Sequence, residues 1–106
     1  MKILAIESEA RETTDAQCAP FLRQEALRVW DLYKTGVIRE LYFHRDRHEA
    51  VLIMECQDPP EASRVLKSLP LVENGLISFD VIPLVPYNGF ERLFDLSRLD
   101  REPETP

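Results

Sequence analysis

The segment AVLIM at positions 50–54 constrains the fold of this chain more than any other feature. Successive side chains of a β-strand point to opposite faces of a sheet, so Val51 and Ile53 would lie on one face and Leu52 and Met54 on the other. A strand with one face in water alternates apolar and polar residues, and this segment does not. The sequence therefore predicts a strand that is covered on both faces.

Turn signals and hydrophobic periodicity divide the rest of the chain into strands and helices. Asp58-Pro59-Pro60-Glu61 combines a capping acid, a proline in the first turn and a glutamate three residues after the cap, which predicts a helix start. Gly36 stands where a left-handed residue commonly ends a helix. The predicted strands are 2–7, 37–44, 50–54 and 76–85, helices begin near Pro20 and Pro59, and 88–96 is a short apolar helical segment.

This order of elements predicts an α+β fold of the ferredoxin-like βαββαβ type, an antiparallel four-stranded sheet with two helices on one face. The spacing of apolar residues also predicts which side of each helix is buried. For the first helix the predicted buried residues are Leu22, Ala26, Val29 and Tyr33, widened by Leu27 and Trp30. For the second helix they are Ala62, Val65, Leu66 and Leu69.

Two helices on one face leave the second face of the sheet without cover. A chain of 106 residues has no further layer except its short C-terminal segment. The simplest cover is therefore the sheet of another copy, which predicts a homodimer or a higher homo-oligomer. We expect a single domain over 1–97 and a flexible tail over 98–106, because the sequence RLDREPETP at the end has little to bury.

Composition excludes several classes of partner. The net charge of −6 argues against nucleic acid, and the longest uncharged stretches contain proline or glycine and are too short to span a membrane. The first residues do not resemble a signal peptide, which predicts a cytoplasmic protein. Cys18 and Cys56 form no CxxC motif and have no histidine at zinc-ligand spacing, so neither a disulfide scaffold nor a zinc site is expected. Much of the acidic charge lies in the predicted exposed loop from Glu7 to Asp15.

Polar residues on one face of the sheet are the candidates for chemistry. Strand alternation predicts that Ile38, Glu40, Tyr42 and His44 lie opposite the helix-covered side, which takes Leu41 and Phe43. The same alternation places Phe79 and Val81 on the helix-covered side and Asp80 on the opposite face. A carboxyl group or an imidazole in a partly apolar cavity is suited to proton transfer. The candidate catalytic residues are Glu40 and His44, and the candidate substrate-binding residues are Tyr42, Asp80, Arg45 and Arg47.

The stretch from Gly36 to about Val85 carries a family resemblance. The sequence LPL at 69–71, followed by ISFDVIPL at 77–84, resembles muconolactone isomerase and its relatives among the dimeric α+β barrel proteins. The resemblance implies a cofactor-free, metal-free fold whose subunits pair sheet to sheet, and a reaction that moves a proton within an unsaturated lactone. The isomerase's His-Leu-Trp-Arg corresponds to ELYF at 40–43, and a lysine of its first helix corresponds to Ala26. Two cations are thereby lost, so a substrate other than muconolactone is expected.

Three functions therefore stay open. The first is a cofactor-free isomerase that acts by proton transfer on a small lactone or a related organic acid. The second is a non-catalytic module for small-molecule binding or oligomerisation, in which Glu40 and His44 are simply solvated residues near a sheet edge. The third is a cofactor-independent monooxygenase, which would need a wide apolar pocket. Fold alone does not choose among them.

Overall fold

The computed structural model describes residues 1–9 and 12–94, and the predicted tail at 98–106 lies outside these residues. The strands are β1 Lys2–Glu9, β2 Ile38–Phe43, β3 Ala50–Glu55 and β4 Ile77–Leu84. The α-helices are α1 Asp15–Cys18, α2 Leu22–Lys34, α3 Pro59–Lys67 and α4 Pro70–Glu73, and short 3₁₀ helices span Ala19–Phe21 and Gly89–Leu93.

The four strands form one antiparallel sheet in the order β2-β3-β1-β4. This arrangement confirms the predicted α+β fold with a βαββαβ core. The main core lies between one face of the sheet and the helices. It contains Ile3, Ala5, Leu52 and Met54 from the central strands, Leu32 from α2, and Ala62 and Leu66 from α3.

Local sequence explains where the helices begin and end. The Asp58 carboxylate accepts a hydrogen bond from the backbone N–H of Glu61 at 2.8 Å, which caps α3 as the sequence predicts. Gly36 follows α2 with φ of +82° and Gly75 follows α4 with φ of +71°. Both angles lie in the left-handed region that glycine adopts most easily. The helices therefore stop where the chain turns back to the sheet.

The predicted inner face of α2 is correct only for Val29, which is partly buried and packs against the core. Leu32 is the buried residue of this helix, whereas Leu22, Trp30 and Tyr33 are about half exposed. Two polar side chains of α2 reach neighbouring elements: Glu25 accepts the N–H of Leu71, and Arg28 Nε donates to Ser68 Oγ at 2.9 Å. The exposed residues of the predicted face are Leu22, Ala26, Leu27, Trp30 and Tyr33.

One strand residue also lies on the opposite side from its predicted position. Ile38 is fully buried in the helix-covered core, although simple alternation placed it with Glu40 and Tyr42. The register between β2 and β3 shifts between Ile38 and Glu40, so Arg39 is an extra residue in β2. Such a bulge reverses the alternation on one side of itself. The predicted faces of the remaining β2 residues are unaffected.

The second face of the sheet is apolar at its centre. Leu4 pairs with Ile53 and Ile82, and Ile6 pairs with Val51. These side chains lie opposite the helix-packed residues Ile3 and Ala5. We call this surface the open face: Leu4, Ile6, Val51, Ile53, Ile82 and Leu84. All of its residues are only partly buried, so the apolar cover expected for AVLIM comes from the helices on one side alone.

Candidate functional site

A buried carboxylate lies in the middle of the helix-covered face. Glu7 is only 8% exposed, and its Oε1 accepts a hydrogen bond of 3.0 Å from the backbone N–H of Ala50. Glu7 pairs with Phe79 on β4, and Ala50 pairs with Phe43 on β2. The four residues therefore form one row across the sheet, in which a carboxylate stands among apolar groups. Burial of this kind is costly unless the charge has partners.

Helix α2 brings a second carboxyl group to this row. Glu25, in the first turn of α2, accepts a hydrogen bond of 2.9 Å from the backbone N–H of Leu71 at the start of α4. Burial has the largest effect on the pKa of Glu25 and raises it, the hydrogen bond from the Leu71 N–H lowers it, and the negative charge of Glu7 has the smallest effect and raises it. A carboxyl group with a raised pKa is a better base when ionised and a closer match to neutral pH.

The edge strand leaves the row accessible from one side. Leu41 and Phe43 lie on the helix-covered face of β2, yet they are 38% and 62% exposed. The helices therefore do not cover this end of β2. The ring of His48 stacks on Phe43 with centroids 4.3 Å apart. We give the name edge cleft to these residues at one end of the helix-covered face: Glu7, Glu25, Leu41, Phe43 and His48. They combine apolar side chains with a few polar groups, a composition that small-molecule sites share.

The predicted catalytic strand brings two of its residues together. Tyr42 Oη donates a hydrogen bond of 2.7 Å to Glu40 Oε1, and both side chains are exposed on the side of the sheet that carries the open face. This hydrogen bond and the charge of Glu40 raise the pKa of Tyr42. Glu40 and Tyr42 thus form a hydrogen-bonded pair at the edge of the open face.

The other predicted residues lie elsewhere. Asp80 is on the same face but on β4, and two strands separate it from β2. At about 4.8 Å per strand, this places it roughly 14 Å from Tyr42, which lies in the same row of the sheet, and further from Glu40. In the hairpin, His44 Nδ1 accepts the N–H of Asp46 at 3.0 Å. Arg45 pairs with Asp46 at 2.9 Å, and Arg47 pairs with Glu49 at 3.0 Å. The hairpin charges are therefore paired within the hairpin.

Neither carboxyl group of the edge cleft, the buried Glu7 or the partly buried Glu25, was predicted from the sequence as a site residue. Glu7 was expected in an exposed acidic loop, whereas β1 continues to Glu9 and buries Glu7. The signal was present, because Ile3, Ala5 and Glu7 alternate onto one face of a strand. Glu25 gave no signal, since its partner Leu71 lies 46 residues away.

Residues 1–9 and 12–94 contain no group of three or more His, Cys, Asp or Glu side chains arranged to hold a metal ion. No helix in that part of the chain has the length and apolar character needed to cross a membrane.

Comparison with known proteins supports the fold. No protein-family model matches the sequence, and no curated protein matches it significantly. Among solved structures, the fold is similar to that of a muconolactone isomerase crystal structure with a TM-score of 0.68. The match covers 83% of this chain and 92% of that chain at 14% sequence identity. The chain therefore has a muconolactone isomerase-like fold.

Proposed function

We propose that this chain is a cofactor-free, cytoplasmic isomerase that moves a proton on a small lactone bound in the edge cleft. The observation that carries the proposal is the Glu25 carboxyl group, held by the Leu71 N–H at 2.9 Å and raised in pKa by burial and by Glu7. The fold it shares with a muconolactone isomerase supports the same reaction class.

In this proposal Glu25 is the proton carrier. Its carboxylate takes a proton from a carbon conjugated with the lactone carbonyl and returns it to a different carbon. The bonds formed and broken balance, so neither an oxidant nor a reductant is required. Glu7 acts through Glu25, because its charge raises the pKa of the Glu25 carboxyl group. A single carboxyl group can serve both steps, because the first step protonates it and the second returns it to the carboxylate form.

The charge of the cleft favours a neutral substrate. Two carboxyl groups, Glu7 and Glu25, face a region whose remaining residues are mostly apolar. An anionic substrate would meet like charge at low effective dielectric, which costs binding energy. A lactone without a free carboxylate therefore fits this site better than an organic acid does.

The open face is proposed to pair with a second copy. Its six apolar residues form a continuous patch, which on a monomer is typical of an interaction surface. Sheet-to-sheet pairing would bury this patch and give a homodimer, with higher assemblies built from the dimer.

Deuterium exchange tests the catalytic proposal. The protein is incubated in D₂O with an uncharged unsaturated five-membered lactone, and exchange and isomerisation are followed by proton NMR. We expect the Glu25→Gln variant to lose about 10²- to 10⁴-fold in rate, the usual contribution of a general base. Glu73→Gln, an exposed carboxyl on α4, is the control and should keep the wild-type rate. A wild-type rate equal to that of buffer, or an unchanged rate in Glu25→Gln, would reject the proposal.

A second site is favoured by the Tyr42–Glu40 hydrogen bond of 2.7 Å. Sheet-to-sheet pairing would enclose this pair, with Glu40 or His44 as the proton carrier and Tyr42 as a positioning hydroxyl. Asp80, Arg45 and Arg47 would then contact substrate only through the second copy. A Glu40→Gln, His44→Gln double variant that retains full exchange activity would eliminate this site.

A further inference from the structure

The chain ends, within its described part, in an apolar segment that projects into solvent. We call residues 85–94 the C-terminal arm. Five of its side chains are large, apolar and between 63% and 82% exposed: Val85, Tyr87, Phe90, Leu93 and Phe94. Aromatic side chains in this density on a free surface are typical of an interaction site.

The arm has internal order. The rings of Tyr87 and Phe90 pack edge to face with centroids 4.9 Å apart. Tyr87 also lies directly over Gly89, where a Cβ atom would collide with its hydroxyl group. The 3₁₀ helix Gly89–Leu93 continues from this contact. The exposed side chains are therefore presented by a folded turn, which lowers the entropy lost when they bind.

The arm begins at the margin of the open face. It follows directly on β4, whose residues Ile82 and Leu84 belong to that face through their pairing with Leu4 and Lys2. Two unpartnered apolar surfaces are thus adjacent in one chain. In a twofold dimer each surface occurs twice, so each subunit can offer its arm to the other.

The open face alone is smaller than the interface of a stable dimer. The open face spans three strands, which are about 14 Å wide at about 4.8 Å each, and a six-residue strand is about 20 Å long, which gives roughly 300 Å² of flat area per subunit. A stable interface buries about 800 Å² per partner. Buried aromatic side chains contribute about 150–250 Å² each, so the arm supplies an area of the missing size.

We propose that the C-terminal arm of each subunit packs Phe90, Leu93 and Phe94 against a second copy of this chain, at the margin of the partner's open face. This inference rests on the sheet-to-sheet pairing proposed above. It adds a specific claim, that the sheet faces alone do not hold the dimer at low concentration.

Sedimentation over a concentration series tests the arm separately from the sheet. The arm variant is Phe90→Ser, Leu93→Ser, Phe94→Ser, the sheet variant is Ile53→Lys, and the control is Glu91→Gln, an exposed polar residue between the arm's apolar ones. We expect the arm variant to raise the dimer Kd at least 10-fold with an unchanged circular dichroism spectrum. The control should match the wild type.

The outcomes separate the two claims. A dimeric wild type whose Kd is unchanged in the arm variant overturns the arm proposal and leaves sheet pairing standing. A Kd unchanged in Ile53→Lys overturns sheet pairing, and Ile82→Lys repeats this test at a second open-face position if the first variant does not fold. A wild type that stays monomeric at micromolar concentration overturns both.

Discussion

Replacing Glu25 with alanine tests whether this side chain fastens α2 to α4. In the folded chain its Oε1 accepts the backbone N–H of Leu71 at 2.9 Å, and Leu71 is buried. Alanine leaves this N–H without an acceptor, whereas glutamine keeps an oxygen at the same position. The two variants therefore differ in one hydrogen bond.

The expected size of the effect follows from that hydrogen bond. Leaving a buried donor unsatisfied costs about 1–3 kcal/mol. The higher helix propensity of alanine offsets up to about 0.5 kcal/mol of this loss of stability. We expect Glu25→Ala to lower the free energy of unfolding by roughly 1–2 kcal/mol relative to Glu25→Gln. For a domain of this size, each kcal/mol lowers Tm by about 4–8 °C.

The pH dependence gives a second readout with a definite sign. The pKa of Glu25 is raised in the folded chain, so the folded state holds the proton more tightly than the unfolded state. Stability from this group is complete below the ordinary pKa of 4.5 and is lost as the pH rises through the folded-state pKa. Glutamine cannot ionise, so the stability of Glu25→Gln relative to the wild type should grow through the same window.

Urea unfolding followed by circular dichroism, at one protein concentration and at several pH values from 4 to about 8, measures both effects. Gln24→Ala, an exposed position on the same turn of α2, controls for helix propensity. Equal stability of Glu25→Ala and Glu25→Gln would refute the role of the hydrogen bond. If the free energies of unfolding of the wild type and of Glu25→Gln change with pH in parallel, the raised pKa of Glu25 is refuted.

Three further substitutions test other parts of the structure. Gly36→Ala should cost about 1–2 kcal/mol in chemical unfolding, because φ is +82° there while the nearest side-chain atom would be an ordinary contact at 3.6 Å. Asp58→Ala should lower the unfolding free energy by about 1 kcal/mol through loss of the α3 cap, and Asp58→Asn should restore most of it. Gly89→Ala should displace Tyr87 and raise the dimer Kd in sedimentation, with little change in Tm.

The order of elements, and the face of the sheet on which most strand residues lie, could be predicted from the sequence because both depend on local spacing. Asp58, Gly36 and the alternation of β3 act within a few residues of themselves. The bulge at Arg39 was not visible, since it is defined by the register with β3. One extra residue moved Ile38 into the core.

The edge cleft depends on contacts between residues that are distant in sequence. The partner of Glu7 is the N–H of Ala50, 43 residues away, and Arg28 reaches Ser68 across 40 residues. A hydrophobic pattern contains no information about such polar contacts, and α2 therefore packs on Leu32 and Val29 although its pattern predicted a different face. The shared face of Glu40 and Tyr42 could be predicted because alternation along one strand is a local pattern, whereas their hydrogen bond could not.

The proximity of Glu7 and Glu25 is the claim on which the proposed function depends. Its most direct test is a carbon-detected NMR titration of the side-chain carboxyl groups in the wild type and in Glu7→Gln. We predict a Glu25 pKa above its ordinary value in the wild type, and a lower Glu25 pKa once the charge of Glu7 is removed. A Glu25 pKa at its ordinary value that does not move in Glu7→Gln would contradict the proposed site.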